Sequence, residues 1–158
     1  MSFSMAITTF VSQNLGAKQY DRTRQGARFG ILSSVLMAEV IGLTIFIFAR
    51  PMIAAFVDEP EAIAIGIRQT RVESLFFCLL AYSHCIAGVC RGAGKAFVPM
   101  FVMLSVWCVL RVAVVTAAMH ISHNILLLFC VYPLTWFISS VIYLIYYLRS
   151  DWIHGFEH

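Results

Sequence analysis

The chain has 158 residues, of which 61% are hydrophobic and only 12% charged, with a net charge of +3 and a mean hydropathy of +0.85. A water-soluble domain carries about 25% charged residues, and so small a volume cannot hide this much apolar surface from water. The composition excludes a soluble fold and predicts an all-α integral membrane protein. The cations sit in short connections between apolar runs, which argues against a nucleic-acid partner.

In chain order, residues 1–11 are apolar but only about half the roughly 20 residues that a bilayer span needs. They read as the end of a helix, and the stretch lacks the basic flank and small-residue cleavage site of a secretory leader. Residues 12–26 are polar and basic and read as a loop. Four spans follow, over residues 27–49, 72–90, 97–119 and 125–148. Between the first two lies a proline, Pro51, and an acidic turn, Asp58-Glu59-Pro60-Glu61. Pro60 fits the first turn of the next helix, where its missing N–H costs nothing. Pro99 is tolerated in the same way, whereas Pro133 falls inside the fourth span and is expected to kink or loosen it. Residues 152–158 read as a short interfacial tail.

The charges orient the spans. Alternate connections hold seven Lys or Arg on one side (Lys18, Arg22, Arg24, Arg28, Arg91, Lys95, Arg149) and three on the other (Arg50, Arg68, Arg71). The positive-inside rule puts the seven in the cytoplasm, and with them the C-terminus. The first span carries Gly26, Gly30, Ser34, Ala38 and Gly42 at a constant spacing of four. Such a stripe lets a second helix approach closely. All five cysteines lie in apolar runs and read as small buried thiols.

An ionisable group in the hydrocarbon costs about 2.5–3.5 kcal/mol or more, so it marks a cavity, a partner or a route to the interface. Glu39 lies mid-span beside the small-residue stripe, as a proton- or cation-binding carboxylate or as a protonated hydrogen-bonding group. His84 lies deep in the second span, as a proton relay or as an interhelical hydrogen bonder. Arg111 lies past the middle of the third span, one turn after Trp107. It reads either as a partner for an acid across the bundle or as an arginine snorkelling about 12 Å to the outer surface. His120 and His123 suit neither a full zinc site nor a catalytic set. No nucleophile–base arrangement is present, so no enzymatic activity and no cofactor are expected.

The motifs between spans resemble those of the MATE (multidrug and toxic compound extrusion) transporters. Ser12-Gln13-Asn14-Leu15-Gly16-Ala17, followed by Tyr20-Asp21-Arg22, is similar to the family's Q-N-x-G-A cytoplasmic loop. Phe56, Asp58 and Pro60-Glu61 resemble its F-x-x-D-P-E turn; Arg91, Gly92, Gly94 and Pro99 resemble its R-G-x-G…P segment; Arg111 fits the W…R position of the helix that follows. The resemblance covers nearly the whole chain. It implies twelve helices in two pseudo-symmetric lobes, with this chain as a C-terminal fragment of the second lobe: the end of helix 8, then helices 9 to 12. It further implies a multi-pass cell-membrane protein that exchanges Na⁺ or H⁺ for cationic or amphipathic drugs and toxins. Membrane lipid and the first lobe are then its partners, and the fragment is inactive alone. Some branches carry a cation-binding acid at the position of Leu80, where this chain has none. Two other readings are a flippase for lipid-linked oligosaccharides of related architecture and a stand-alone four-span protein that forms homo-oligomers.

Overall fold

In the computed structural model, residues 2–121 and 125–153 are described, with the backbone alone for 121 and 125–128. Every regular element among them is helical: α1 (Ser2–Gly16), α2 (Tyr20–Ala54), α3 (Pro60–Ser74), α4 (Phe77–Gly92), α5 (Phe97–Val102), a π-helical segment (Met103–Leu110), α6 (Arg111–Ile121) and α7 (Ile125–Arg149). Three helices are long and apolar enough to cross a membrane, and the bent pair α3–α4 makes a fourth candidate.

The polar stretch 12–26 is not the loop that its composition predicts. Helix α1 continues to Gly16, α2 begins at Tyr20, and only Ala17, Lys18 and Gln19 lie between. At 1.5 Å per residue the 35 residues of α2 extend about 52 Å, well beyond a hydrocarbon core of about 30 Å. Its first turns therefore stand in the aqueous zone, where arginine and glutamine suit both helix and water. Asp21 sits in the first turn, at the positive end of the helix dipole. The outward face of α2 shows Phe29, Leu32, Leu36, Val40, Leu43 and Ile47, all exposed at helical spacing, as a lipid-facing stripe requires.

The turn between α1 and α2 is a Schellman motif. The N–H of Lys18 donates to Leu15 O at 2.9 Å and that of Gln19 to Asn14 O at 2.9 Å. Lys18 has the left-handed φ of 56° that this motif demands. The same motif ends α4: Gly94 N–H donates to Arg91 O at 3.1 Å, Lys95 N–H to Cys90 O at 2.9 Å, and Gly94 has φ 74°.

The second span, predicted as one helix over 72–90, is broken. Helices α3 and α4 meet at a 51° bend around Leu75 and Phe76. No proline or glycine marks the place. The Ser74 hydroxyl turns back onto Arg71 O at 3.2 Å, a contact that bends helices, and the buried Ser74 carbonyl abuts Gly42 of α2.

Helix α4 is the hub of the bundle, packed against α1, α2 and α7. Its residues Cys85 through Cys90 are all buried, together with Ile7, Val11 and Leu15 of α1, Ala27 and Ile31 of α2, and Tyr143 of α7. The small-residue stripe of α2 does receive neighbours: Phe10 lies on Gly26, Ile7 on Gly30, and Ser74 on Gly42. A second close approach was not anticipated. A side chain at Gly88 would stand 2.6 Å from Ser4 O, and one at Gly92 2.6 Å from Thr8 O, so α1 rides directly on the backbone of α4.

Pro133 lies inside α7, which is a single helical element. Two further expectations change. Cys85 and Cys90 are buried, but Cys108 and Cys130 face outward. The start of the tail is part of the core: Trp152 and Ile153 are buried, Trp152 stacks on Tyr147 with ring centroids 5.3 Å apart, and Lys95 donates to Asp151 O at 3.0 Å.

Candidate functional site

Between α1, α2 and α4 lies a cleft of about 400 Å³. Its walls are Phe3, Met37, Ile41, Phe77 and Leu80, with Ser4, Ser34, His84 and Cys85 as the polar minority. A mostly apolar cavity of this size with a few placed polar groups is the usual form of a small-molecule site. A second cavity of about 150 Å³ adjoins Ser4, Met5, His84, Arg91 and Met103. Ser4 and His84 line both. The Ser4 hydroxyl donates to His84 O at 2.7 Å and accepts from the Arg91 guanidinium at 2.8 Å, which ties the start of α1 to both ends of α4's last turns.

His84 also faces the π segment. Its ring stands edge-on to Trp107, with centroids 5.5 Å apart and planes at 77°. The same indole carries Arg111, whose guanidinium carbon is 5.2 Å from the Trp107 centroid and 4.7 Å from that of Tyr132. Arg111 donates to Thr135 Oγ1 at 2.8 Å, and that hydroxyl donates in turn to Tyr132 O at 2.9 Å. Arg111 therefore meets no acid among the described residues; it is held between two aromatic rings. Cation–π contacts of about 0.5–2 kcal/mol each and a charged hydrogen bond of about 1.5–3 kcal/mol are of the size needed to offset its burial. Its Nε and the Trp107 Nε1 are buried without an acceptor.

Of the predicted candidates, the structure brings His84 and Arg111 together through Trp107 and leaves Glu39 apart. Glu39 is exposed on α2, where its neighbour is the Cys78 thiol. His120 is exposed at the end of α6 and His123 lies outside the described residues. Sequence reasoning missed a buried serine cluster: Ser83 of α4 hydrogen-bonds Ser139 at 3.2 Å and Ser140 at 2.9 Å on α7, and Ser140 donates to Leu79 O at 3.0 Å. The adjacent serines in an otherwise apolar span were its signal.

The motif residues have structural tasks. The Asn14 amide donates to Phe10 O at 2.7 Å, inside the last turns of α1. Gly16 and Ala17 end that helix, and Gln13 is exposed beside them. Arg22 donates to the Gln19 side chain at 3.2 Å. Asp58 is exposed just ahead of α3, and Pro60 is that helix's first residue, as expected. Arg91 holds Ser4, Gly92 admits α1, Gly94 supplies the left-handed turn, and Pro99 is buried in α5.

The MatE family model matches residues 1–117. A probable multidrug resistance protein NorM of Thermotoga maritima is 31% identical over 105 residues, which is 66% of this chain and 23% of that protein. A probable multidrug resistance protein YoeA of Bacillus subtilis is 25% identical over 149 residues, 93% of this chain and 32% of the relative. A NorM of the same description from Halalkalibacterium halodurans is 30% identical over 111 residues, 69% and 24% of the two chains. The chain thus spans from just under a quarter to about a third of the length of these relatives. A bundle of long apolar helices that the family model matches over most of its length, this chain belongs to the MatE family.

Proposed function

We propose that the chain is part of a secondary active multidrug efflux transporter that exchanges Na⁺ or H⁺ for cationic and amphipathic compounds across the cell membrane. The cleft between α1, α2 and α4 carries this reading. Its volume of about 400 Å³ and its walls of Phe3, Met37, Ile41 and Phe77 suit a drug-sized apolar ligand, and the relatives are multidrug resistance proteins by name. The position of Leu80, an acid in some branches, is an apolar part of the cleft wall, so a carboxylate for the coupling ion has to come from elsewhere in the protein. The first lobe supplies the opposite side of the substrate path, and alternating access follows from rocking of the two lobes. The α1–α2 turn and the C-terminus face the cytoplasm, with Lys18, Arg22, Arg24 and Arg28 at that surface.

The test is ethidium accumulation in cells stripped of their own exporters. The protein that carries this chain together with a first lobe lowers accumulation, and residues 1–158 alone do not. Unchanged accumulation with both overturns the reading.

A further inference from the structure

We propose that Arg24 and Arg28 of α2, with Tyr147 of α7 beside them, bind the phosphate of an anionic phospholipid. The lipid belongs to the leaflet at the end of the bundle that carries the α1–α2 turn and the start of the C-terminal tail. This rests on the membrane setting alone and stands apart from the transport reading above.

Depth places the two arginines. The lipid-facing stripe of α2 begins at the exposed Phe29, and Arg28 immediately precedes it. Arg24 and Arg28 are four residues apart on one face of the helix, about 6 Å along its axis. They therefore stand where acyl chains give way to headgroups. Helices α2 and α7 both pack on α4. Near the end of α7, Tyr147 stacks on Trp152 with ring planes 25° apart. Tyrosine and tryptophan are enriched at the membrane–water interface, so the aromatic pair marks the same depth as the arginines.

The chemistry of the place lacks an anion. Both guanidiniums are exposed, and among the described residues no carboxylate pairs with either. Like charges at this spacing repel and weaken the helix that carries them. The Tyr147 hydroxyl is buried without a hydrogen-bond partner, and its neighbouring charges are Arg28 and, after it, Arg24. Three donors at one place thus lack an acceptor. A phosphate supplies it: the negative charge cancels the repulsion, and the oxygens match the planar fork of a guanidinium. The headgroup must be anionic overall, because the ammonium of a zwitterionic one would bring a third cation to the pair. Phe29, Leu32 and Leu36 then give the acyl chains an apolar track from the phosphate into the hydrocarbon. Other cations at this end are already engaged. Arg22 donates to the Gln19 side chain, Arg91 to Ser4 Oγ and Lys95 to Asp151 O.

The experiment counts bound lipid by native mass spectrometry on the purified protein that carries this chain. Dioleoyl phosphatidylglycerol or dioleoyl phosphatidylcholine is added at equal concentration in a neutral detergent. Phosphatidylglycerol should be retained in preference. Arg24→Gln/Arg28→Gln should lose one retained phosphatidylglycerol, with its affinity down by about fivefold per arginine, the contribution of a basic residue near an anionic surface. Glutamine suits an exposed helical position, so this variant keeps its fold. Arg50→Gln/Arg68→Gln removes two exposed cations from the opposite end of the bundle and should leave the count unchanged. The comparison of variants cancels lipid held elsewhere on the protein. Equal retention of the two lipids, an unchanged count in Arg24→Gln/Arg28→Gln, or an equal loss in Arg50→Gln/Arg68→Gln each overturns the proposal. Displacement of the lipid by equimolar inorganic phosphate overturns it too, since the site would then read free phosphate. Ethidium export does not enter these readings, so the lipid site and the proposed function stand or fall separately.

Discussion

The contact between α1 and α4 offers a sharp test of how this bundle is held. An alanine methyl at Gly88 would stand 2.6 Å from Ser4 O and 2.9 Å from Ser4 Oγ; at Gly92 it would stand 2.6 Å from Thr8 O and 2.8 Å from Val11 Cβ. A comfortable C···O separation is about 3.3–3.6 Å, so α1 must recede by about 0.7 Å or more. The atoms in the way are backbone carbonyls, which cannot swing aside like a side-chain tip. Overpacking of this kind costs about 1–3 kcal/mol per site. Retreat of α1 also stretches the hydrogen bonds from Ser4 Oγ to His84 O at 2.7 Å and from Thr8 Oγ1 to Gly88 O at 3.1 Å. Each is worth about 0.5–1.5 kcal/mol. Against this, alanine gains about 1 kcal/mol of helix propensity over glycine. The double variant Gly88→Ala/Gly92→Ala is therefore expected to lose about 1–7 kcal/mol net, by the same magnitudes. Gly16→Ala is the control: a methyl there meets nothing within 4 Å, so only the propensity gain remains. Thermal unfolding in detergent reads the difference, at about 2–4 °C per kcal/mol for a chain of this size. The double variant should melt lower and Gly16→Ala no lower than the parent. Equal melting temperatures for the double variant and the control would refute the close-approach argument.

Three other outcomes follow from the same structure. The two Schellman turns give opposite signs for opposite swaps: Gly94→Ala, at φ 74°, should destabilise by about 1–2 kcal/mol, and Lys18→Gly, at φ 56°, should stabilise by up to that amount, both read as melting shifts. Ser83→Ala removes the centre of the α4–α7 serine cluster and should lower stability by about 1–2 kcal/mol, because two buried hydroxyls lose a partner; an unchanged melting temperature would show that the cluster is dispensable. For topology, a cysteine introduced at Lys18 should react with a membrane-impermeant maleimide in inside-out vesicles and not in right-side-out ones; the reverse pattern would invert the orientation.

Much of this architecture was legible in the sequence because the bilayer leaves few options. Long apolar runs had to be helices, and the regular spacing of Gly26, Gly30 and Gly42 pointed to close packing that α1 and the α3–α4 bend supply. Features without a compositional mark were not legible. The bend at Leu75 and Phe76 arises from Ser74 packing on Gly42 in a run without proline or glycine, and the π segment is equally unmarked. The polar start of α2 was misread because polarity signals water contact, and water contact is compatible with helix as well as loop. The pairing of His84 with Arg111 depends on an indole from a third element, so spacing along the chain could not show it. The four-residue interval between Gly88 and Gly92 was visible but lay in the shadow of the motif that contains Gly92.

An exporter of the proposed kind is driven by an ion gradient, and ethidium movement in proteoliposomes that contain the protein carrying this chain, without nucleotide, under an imposed Na⁺ or H⁺ gradient, measures that directly. Ethidium should accumulate against its own gradient under at least one of the two, and stop when the gradient is collapsed with an ionophore. Ethidium movement that ignores both gradients would overturn the proposed function.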